Sequence, residues 1–116
     1  MSEKETVNAV RATLSHGDTR LFRNNVGALQ DKTGRFVTYG LAVGSSDLIG
    51  WKSMNITLDM VGEKVAVFVA LEGKSEDKAP TEAQRRFLQT VKDAGGIAGV
   101  FRSQSDAEHL LGKRIE

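Results

Sequence analysis

The sequence predicts a small three-layer α/β domain. Apolar residues recur at helical spacing near the start of the chain and again in its second half. Apolar runs of strand length, some alternating and one continuous, lie between and after these helical segments. The length of 116 residues allows one modest hydrophobic core. We therefore expect a single domain over residues 1–116, in the order helix, three or four strands, helix, strand and a short final helix.

Three segments are predicted to be helical. Residues 3–16 carry apolar side chains three and four positions apart, and Gly17 is suited to a left-handed cap at their end. A capping-box pattern at residues 81–84 begins a second helix, which we expect to extend to about Ala94. A similar pattern at residues 105–108 predicts the start of the final helix.

Strands are predicted between these helices, at residues 19–24, 34–40 (as a short strand or an ordered loop), 56–60, 65–71 and 97–102. The alternation of residues 56–60 predicts a half-buried strand, and the continuous apolar run of residues 65–71 predicts a central strand covered on both faces. These two segments are expected to pair as an antiparallel hairpin. Residues 40–50 contain three Gly and two Ser, which predicts irregular backbone.

Composition excludes several classes of protein. The 40% apolar and 27% charged content is that of a globular chain. The absence of Cys excludes a disulfide scaffold, a thiolate zinc site and a Cys nucleophile, and two His are too few for a His-rich metal centre. A net charge of +1 excludes a histone-like polycation but allows a local basic patch. No secretory signal or apolar run of membrane-spanning length is present, so we expect a cytoplasmic protein without a membrane partner.

The sharpest chemical signal follows the predicted central strand. Glu72 and Lys74 are two positions apart, and such residues on a strand face the same way. If the predicted hairpin forms, the segment that carries Asp47 returns to the neighbourhood of Glu72. Each feature also has an ordinary explanation, since a strand can simply end in solvated charges and an Asp in a Gly/Ser loop often caps an Asx turn.

Together, Asp47, Glu72 and Lys74 indicate metal-dependent chemistry on a phosphate. Carboxylates and backbone carbonyls are hard oxygen ligands, which suit Mg²⁺ or Mn²⁺ rather than zinc. A nearby lysine can orient or activate a water molecule and stabilise the charge that builds on a phosphate. No organic cofactor is expected.

With these residues the chain resembles the PD-(D/E)xK nuclease superfamily. Within that superfamily it is most similar to the VRR-NUC (virus-type replication-repair nuclease) domain of the stand-alone viral and bacterial type. Five blocks carry the resemblance in order over nearly the whole chain, at residues 22–27, 44–50, 68–74, 80–88 and 95–100. The resemblance implies a restriction-endonuclease-like fold with a mixed sheet and the order α-β-β-β-α-β-(α). It also implies a bacterial or phage-infected cell as the setting.

The resemblance assigns roles to individual residues. Asp47 and Glu72 correspond to metal-binding carboxylates, the carbonyl of Gly73 to a backbone ligand, and Lys74 to the catalytic lysine. A side chain usually packs at the position that Gly73 occupies, and its absence is expected to leave that position empty and to cost about 1 kcal/mol.

Two further residues match the family pattern less specifically. Gln84 matches a catalytic glutamine beside the site, although its place in the capping box explains it as well. Glu5 matches an acid that helps to hold the metal through water, and its simpler interpretation is a first-turn acid that interacts with the helix dipole.

Polar and basic residues in segments flanking the proposed site are candidate DNA contacts: Arg20, Arg23, Asn24, Asn25, Lys78 and Arg85. The expected activity is endonucleolytic hydrolysis of phosphodiester bonds in branched DNA by an activated water. A four-way (Holliday) junction is the best candidate substrate, and the expected role is DNA repair.

A homodimer is expected, because a short chain offers one active site and a twofold dimer would match a junction. Trp51 and the last helix around Leu110 and Leu111 are candidate contact surfaces. One alternative is a catalytically weak or inactive nucleic-acid-binding module on the same fold, which only Gly73 makes plausible. Another is a small protein–protein adaptor, which would not explain why Asp47, Glu72 and Lys74 occur together.

Overall fold

A computed structural model gives the structure of residues 2–112. The α/β class is confirmed, with three helices and three small sheets in this part of the chain. The chain divides into two compact units, Met1–Met54 and Asn55–Glu116. None of the described helices is both long and apolar enough to cross a membrane.

The first unit contains one helix and two antiparallel strand pairs. Its elements in chain order are α1 (Glu3–Leu14), β1 (Thr19–Arg23), β2 (Gly27–Gln30), β3 (Phe36–Tyr39) and β4 (Leu48–Lys52). β1 pairs with β4, β2 pairs with β3, and α1 contacts β1.

The end of α1 is tied to the start of the first strand. The helix ends at Leu14, two residues earlier than predicted, and Ser15 rather than Gly17 is its cap. The hydroxyl oxygen of Ser15 accepts a 2.8 Å hydrogen bond from the backbone N–H of Leu21 in β1. Gly17 takes a φ of 61° in the turn that follows, which is a conformation that glycine adopts without strain.

A polar turn closes the β2–β3 hairpin. The carboxylate of Asp31 accepts hydrogen bonds from the hydroxyl and the N–H of Thr33 and from the N–H of Arg35. These bonds, the Thr33 hydroxyl first among them, hold the pKa of Asp31 below its ordinary value. Their contribution to stability is therefore complete above the ordinary carboxyl pKa and is lost as the pH falls through the lowered one.

The second unit is a parallel strand pair with helices packed on it. Its elements are a short 3₁₀ helix (Leu58–Met60), β5 (Val69–Gly73), α2 (Glu82–Asp93), β6 (Ile97–Phe101) and α3 (Gln104–Gly112). β5 and β6 pair in parallel, from Val69 opposite Ile97 to Gly73 opposite Phe101. α2 contacts both strands and α3 contacts β6.

The buried apolar side chains of the described residues lie on α2, β6 and α3: Leu88, Val91, Ala98 and Leu110. Val91 is only 1% exposed. The predicted inner face of α2 is therefore confirmed for Leu88 and Val91, whereas Phe87 is 41% exposed. The predicted bounds of α2 and β6 hold to within a few residues, and Gly95, at a φ of 102°, follows α2 as expected.

The predicted strand at residues 56–60 is wrong. Leu58–Met60 is a 3₁₀ helix, and Ile56 and Leu58 are 77% and 91% exposed. Local hydrogen bonds are the physical reason, because the hydroxyl of Thr57 donates to the carboxylate of Asp59 and the N–H of Met60 donates to the carbonyl of Thr57. Such short-range bonds compete with a strand ladder. The hairpin expected between residues 56–60 and 65–71 is therefore absent from the described structure.

The predicted central strand is shorter and less covered than expected. β5 begins at Val69 rather than Val65, and among the described residues it pairs with β6 alone. Val65, Val67 and Val69 are 54%, 41% and 41% exposed, so this apolar run is not covered on both faces.

Two strands were not predicted, and the strands form three two-stranded sheets in the described residues where one mixed sheet was expected. β2 was missed, and β4 lies partly within residues 40–50, where irregular backbone was predicted. Gly50 was interpreted as a sign of irregular backbone, but it lies within β4, where close packing against β1 requires a glycine. A Cβ atom at this position would lie 1.7 Å from the carbonyl oxygen of Arg20 on β1.

The final helix begins at Gln104, and its cap precedes the predicted capping box at residues 105–108. The hydroxyl oxygen of Ser103 accepts from the N–H of Asp106, and the Asp106 carboxylate accepts from the N–H of Arg102. The sequence contains two overlapping patterns in which an acid follows a serine three residues later, at residues 103–106 and 105–108. The earlier pattern forms the cap.

The capping box of α2 gives a direct test of the second unit. The Thr81 hydroxyl accepts from the N–H of Gln84, and the Gln84 side-chain oxygen accepts from the N–H of Thr81. We expect Thr81→Ala to lower the free energy of unfolding by about 1 kcal/mol, because one helix N–H loses its partner. Thr81→Ser retains the hydroxyl and should stay within about 0.5 kcal/mol of the parent. Urea denaturation measures both, and equal stabilities for the two variants would contradict the cap.

Candidate active site

Asp47 lies immediately before β4 with its side chain exposed. Two clefts of the first unit share Asp47 and Asn25 in their walls. The first cleft, of about 240 Å³, is lined by Glu3, Lys4, Val7, Arg23, Asn25 and Asp47. The second is lined by Asn24, Asn25, Val26, Tyr39, Ser45 and Asp47. Asp47 is therefore exposed at two clefts that a ligand could enter.

Asn24 connects the end of β1 to the segment that carries Asp47. Its backbone N–H donates a 2.9 Å hydrogen bond to the carbonyl of Asp47. Its side-chain nitrogen donates to the Ser45 hydroxyl oxygen at 2.7 Å and to the Ser46 carbonyl at 2.9 Å. Its side-chain oxygen accepts from the N–H of Leu41 at 3.0 Å.

Arg23 supplies positive charge beside Asp47. Its guanidinium donates to the side-chain oxygen of Asn8 and, at 3.5 Å, to that of Asn25. Arg23 and Asn25 are both exposed, and both line the cleft of Asp47. An anion entering this cleft would meet a cation and an amide next to a carboxylate.

The E-x-K pattern ends β5 as predicted. Glu72 and Lys74 lie on one face, with 3.5 Å between the lysine Nζ and a glutamate Oε, and their side chains are 29% and 19% exposed respectively. The backbone N–H of Lys74 donates to the carbonyl of Phe101 at 3.1 Å, which extends the β5–β6 pairing beyond Gly73. The pairing therefore fixes the backbone from which both charged side chains project.

The expectation that Gly73 leaves an empty packing position is wrong. A Cβ atom on Gly73 would lie 2.9 Å from the ring of Phe101 on β6. The ring already occupies the space that a side chain would fill. The smaller residue at position 73 is matched by a large one opposite it, so Gly73 alone is no reason to doubt the order of this strand.

Gln84 lies at the start of α2, and its side-chain oxygen is used in the capping box. Arg85 beside it donates to the carbonyl of Pro80 at 2.8 Å. The loop before this helix is held in a second way, because the guanidinium of Arg102 donates to the carbonyl of Lys78 at 2.8 Å. This role of Arg102 was not predicted from the sequence, because no short motif signals it.

Two other predicted residues have local environments that bear on their roles. Arg20 donates through one guanidinium nitrogen to the carbonyls of Gly17 and Thr19, both at 2.7 Å. Glu3, rather than Glu5, lines the cleft of Asp47. The resemblance pointed to Glu5, and both acids lie in the first turn of α1.

The structure groups the predicted residues within each unit. Asp47, Arg23, Asn24 and Asn25 lie together in the first unit. The second unit contains the other predicted catalytic residues, namely Glu72, Gly73, Lys74 and Gln84. Within residues 2–112, no three His, Cys, Asp or Glu side chains form a group that could hold a metal ion. The donors of the prediction, two accessible carboxylates and a main-chain carbonyl, are nevertheless of the kind that Mg²⁺ and Mn²⁺ prefer.

Comparison with known proteins identifies the family of the chain. Residues 3–105 match the family model described as the VRR-NUC domain, which agrees with the resemblance found in the sequence. Neither the curated proteins nor the solved structures gave a match. The family match spans most of the chain and includes Asp47, Glu72, Lys74 and Gln84. The chain belongs to the VRR-NUC family and is a nuclease-type domain.

Proposed function

We propose that the protein is a Mg²⁺- or Mn²⁺-dependent, structure-specific DNA endonuclease that hydrolyses phosphodiester bonds in branched DNA. The family match over residues 3–105 is the observation that carries this proposal. The accessible Asp47 of the first unit, and the Glu72–Lys74 pair of the second, support it, because they supply the groups that such a reaction requires. The proposed setting is the cytoplasm, and the proposed role is DNA repair.

In this proposal Asp47, Glu72 and the carbonyl of Gly73 hold the metal ion. The bound ion supplies Lewis-acid activation of water and neutralises charge on the phosphate. Lys74 lies 3.5 Å from Glu72, so it can hold the attacking water in place or stabilise the charge that develops on the phosphate. Gln84 would act beside the site through its amide nitrogen, since its oxygen already serves the helix cap.

Affinity for DNA is proposed to come from phosphate contacts around these residues. Arg23 and Asn25 line the cleft of Asp47, and Lys78 and Arg85 lie in and next to the loop before α2. Arg20 is a weaker candidate, because its guanidinium is already bound to two backbone carbonyls. Contacts of this kind hold the DNA backbone without reading its sequence, which suits recognition of a branched shape.

We propose a homodimer as the active form. Several large apolar side chains are exposed in the second unit, among them Ile56, Leu58, Val61 and Val65. Exposed apolar patches are typical of interaction surfaces. Of the candidate contact residues expected from sequence, Leu110 is buried, Trp51 packs against Phe22 with ring centroids 5.5 Å apart, and Leu111 is 43% exposed.

Substitution of the proposed catalytic groups tests the site. We expect Asp47→Ala, Glu72→Ala and Lys74→Ala each to lower cleavage at least about 100-fold, because each removes a group that acts on the transition state. Binding of junction DNA should change little, since affinity comes mainly from phosphate contacts. Single-turnover cleavage and electrophoretic mobility shift measure the two properties.

Lys92→Ala and Asp93→Ala are matched controls for the Lys74 and Asp47 variants, because both residues are exposed charges of the same types outside the proposed site and contact surface. Both controls should cleave at the parental rate. A near-parental rate for any one of the three site variants would remove that residue from the catalytic set.

The choice of substrate and the oligomeric state are tested together. We expect a dimer by light scattering at micromolar concentration and preferential cleavage of a four-way junction over linear duplex, flap and splayed substrates, because a twofold dimer matches the junction's approximate symmetry. Cleavage should require Mg²⁺ or Mn²⁺ and should stop in excess EDTA. A monomer that cuts linear duplex as fast as the junction would refute the substrate proposal. Full activity in EDTA would refute the metal mechanism, and junction binding without cleavage would favour the inactive binding module.

A further inference from the structure

The side chain of Asn24 is bound to the loop before Asp47 through both ends of its amide. The amide nitrogen has two hydrogens, and its two acceptors are the Ser45 hydroxyl oxygen and the Ser46 carbonyl. The amide oxygen accepts from the N–H of Leu41 at 3.0 Å. Both donor hydrogens are therefore used within the protein, and the side chain has no N–H left for a phosphate.

The loop of residues 41–47 has little else to hold it. Its apolar side chains Leu41 and Val43 are 67% and 97% exposed, so they do not anchor it by burial. Its internal hydrogen bonds join Ala42 and Ser45 to each other, through the backbone and through the Ser45 hydroxyl. Asn24 and Ser45 are half-buried, whereas the neighbouring Asp47 is exposed. The fixed part of the loop is thus the part that Asn24 contacts.

The backbone of Asn24 reaches Asp47 itself. The β1–β4 pairing ends with Arg23 opposite Leu48, and the N–H of Asn24 donates to the carbonyl of Asp47 one step beyond it. Side chain and backbone of one residue therefore hold the start of the loop at Leu41 and its end at Asp47.

We propose that Asn24 is a positioning residue, which fixes the loop of residues 41–47 and through it the direction of the Asp47 carboxylate. The inference rests on the proposed function of Asp47 as a metal ligand. It removes Asn24 from the set of DNA contacts and leaves Asn25 in that set. Asn25 is exposed, lines both clefts, and is bound through its side-chain oxygen to Arg23. Adjacent asparagines thus have different roles.

The chemistry of the contacts makes asparagine specific at position 24. An aspartate of the same shape keeps the acceptor for Leu41 but has no hydrogen for Ser45 or Ser46, and it places a negative charge against the Ser46 carbonyl. An alanine loses all three side-chain contacts. Asn24→Asp therefore tests the donors with little change of volume, and Asn24→Ala tests the whole side chain.

The experiment compares Asn24→Asp, Asn24→Ala and Asn25→Ala with the parent chain, and Gln89→Ala on the exposed side of α2 is the control. Hydrogen exchange followed by mass spectrometry reports on residues 41–47 without any reaction. Calorimetric titration with Mn²⁺ reports on metal affinity, and steady-state cleavage of a four-way junction gives kcat and KM at several Mn²⁺ concentrations.

Both Asn24 variants should exchange the loop amides faster and should bind Mn²⁺ about 10-fold or more weakly, as is typical when a partner of a metal ligand is removed. Their KM for DNA at saturating Mn²⁺ should stay within about twofold of the parental value, since phosphate contacts supply most of the affinity. Asn25→Ala should show the reverse, with a raised KM and parental Mn²⁺ affinity. Gln89→Ala should match the parent in every measurement.

Parental loop exchange or parental Mn²⁺ affinity in Asn24→Asp would overturn the inference, and so would a rise in KM alone, which would return Asn24 to the DNA contacts. If Asn24→Ala fails to fold by circular dichroism, the isosteric aspartate variant decides the question. A parent chain that neither binds Mn²⁺ nor cleaves would refute the proposed function and this inference together. A parent that binds Mn²⁺ while the Asn24 variants bind it equally well refutes this inference alone.

Discussion

The parallel pairing of β5 with β6 is the constraint on which the second unit depends. Parallel neighbours need a crossover connection, and α2 provides it between Gly73 and Ile97. The capping box at Thr81 begins that helix, and the burial of Leu88 and Val91 holds it against the strands. Glu72 lies within this pairing, and Lys74 follows directly after its last residue, Gly73. The core of the second unit therefore fixes the backbone of the E-x-K pattern.

The first unit meets a different requirement, because Asp47 lies in a loop that is exposed and poorly anchored by apolar contacts. Polar side chains perform the task that burial performs in the second unit. Asn24 binds the loop at both ends. The hydroxyl oxygen of Ser45 accepts hydrogen bonds from the side-chain amide of Asn24 and from the backbone N–H of Ala42. An exposed carboxylate on a loop that is held by hydrogen bonds remains open to a ligand, whereas a buried carboxylate would lose its charge or its access.

The sequence predicts the elements whose signals are local. The α2 helix is found from its capping box and its apolar spacing, and Glu72 with Lys74 is found from strand alternation. The failures occur where a tertiary contact or a competing local bond decides the structure. Residues 56–60 alternate as a strand does, yet Thr57 and Asp59 bond to each other. From the sequence, Gly50 indicates a break in a strand, but in the structure it makes room for the backbone of Arg20. Gly73 indicates an unfilled packing position, but the ring of Phe101 fills it. The role of Asn24 has the same origin, since its partners lie 17 to 22 residues away.

The central proposal is that Asp47 and Glu72 hold the same metal ion, and a double-mutant cycle on Mn²⁺ affinity tests it most directly. Calorimetric titration would be carried out on the parent chain, on Asp47→Asn, on Glu72→Gln and on the double variant, with parallel titrations in Ca²⁺. If both carboxylates bind one ion, each single change should weaken binding at least about 10-fold, and the two effects should fail to add in the double variant. Effects that add within about 0.5 kcal/mol, or a single variant with parental affinity, would contradict the claim.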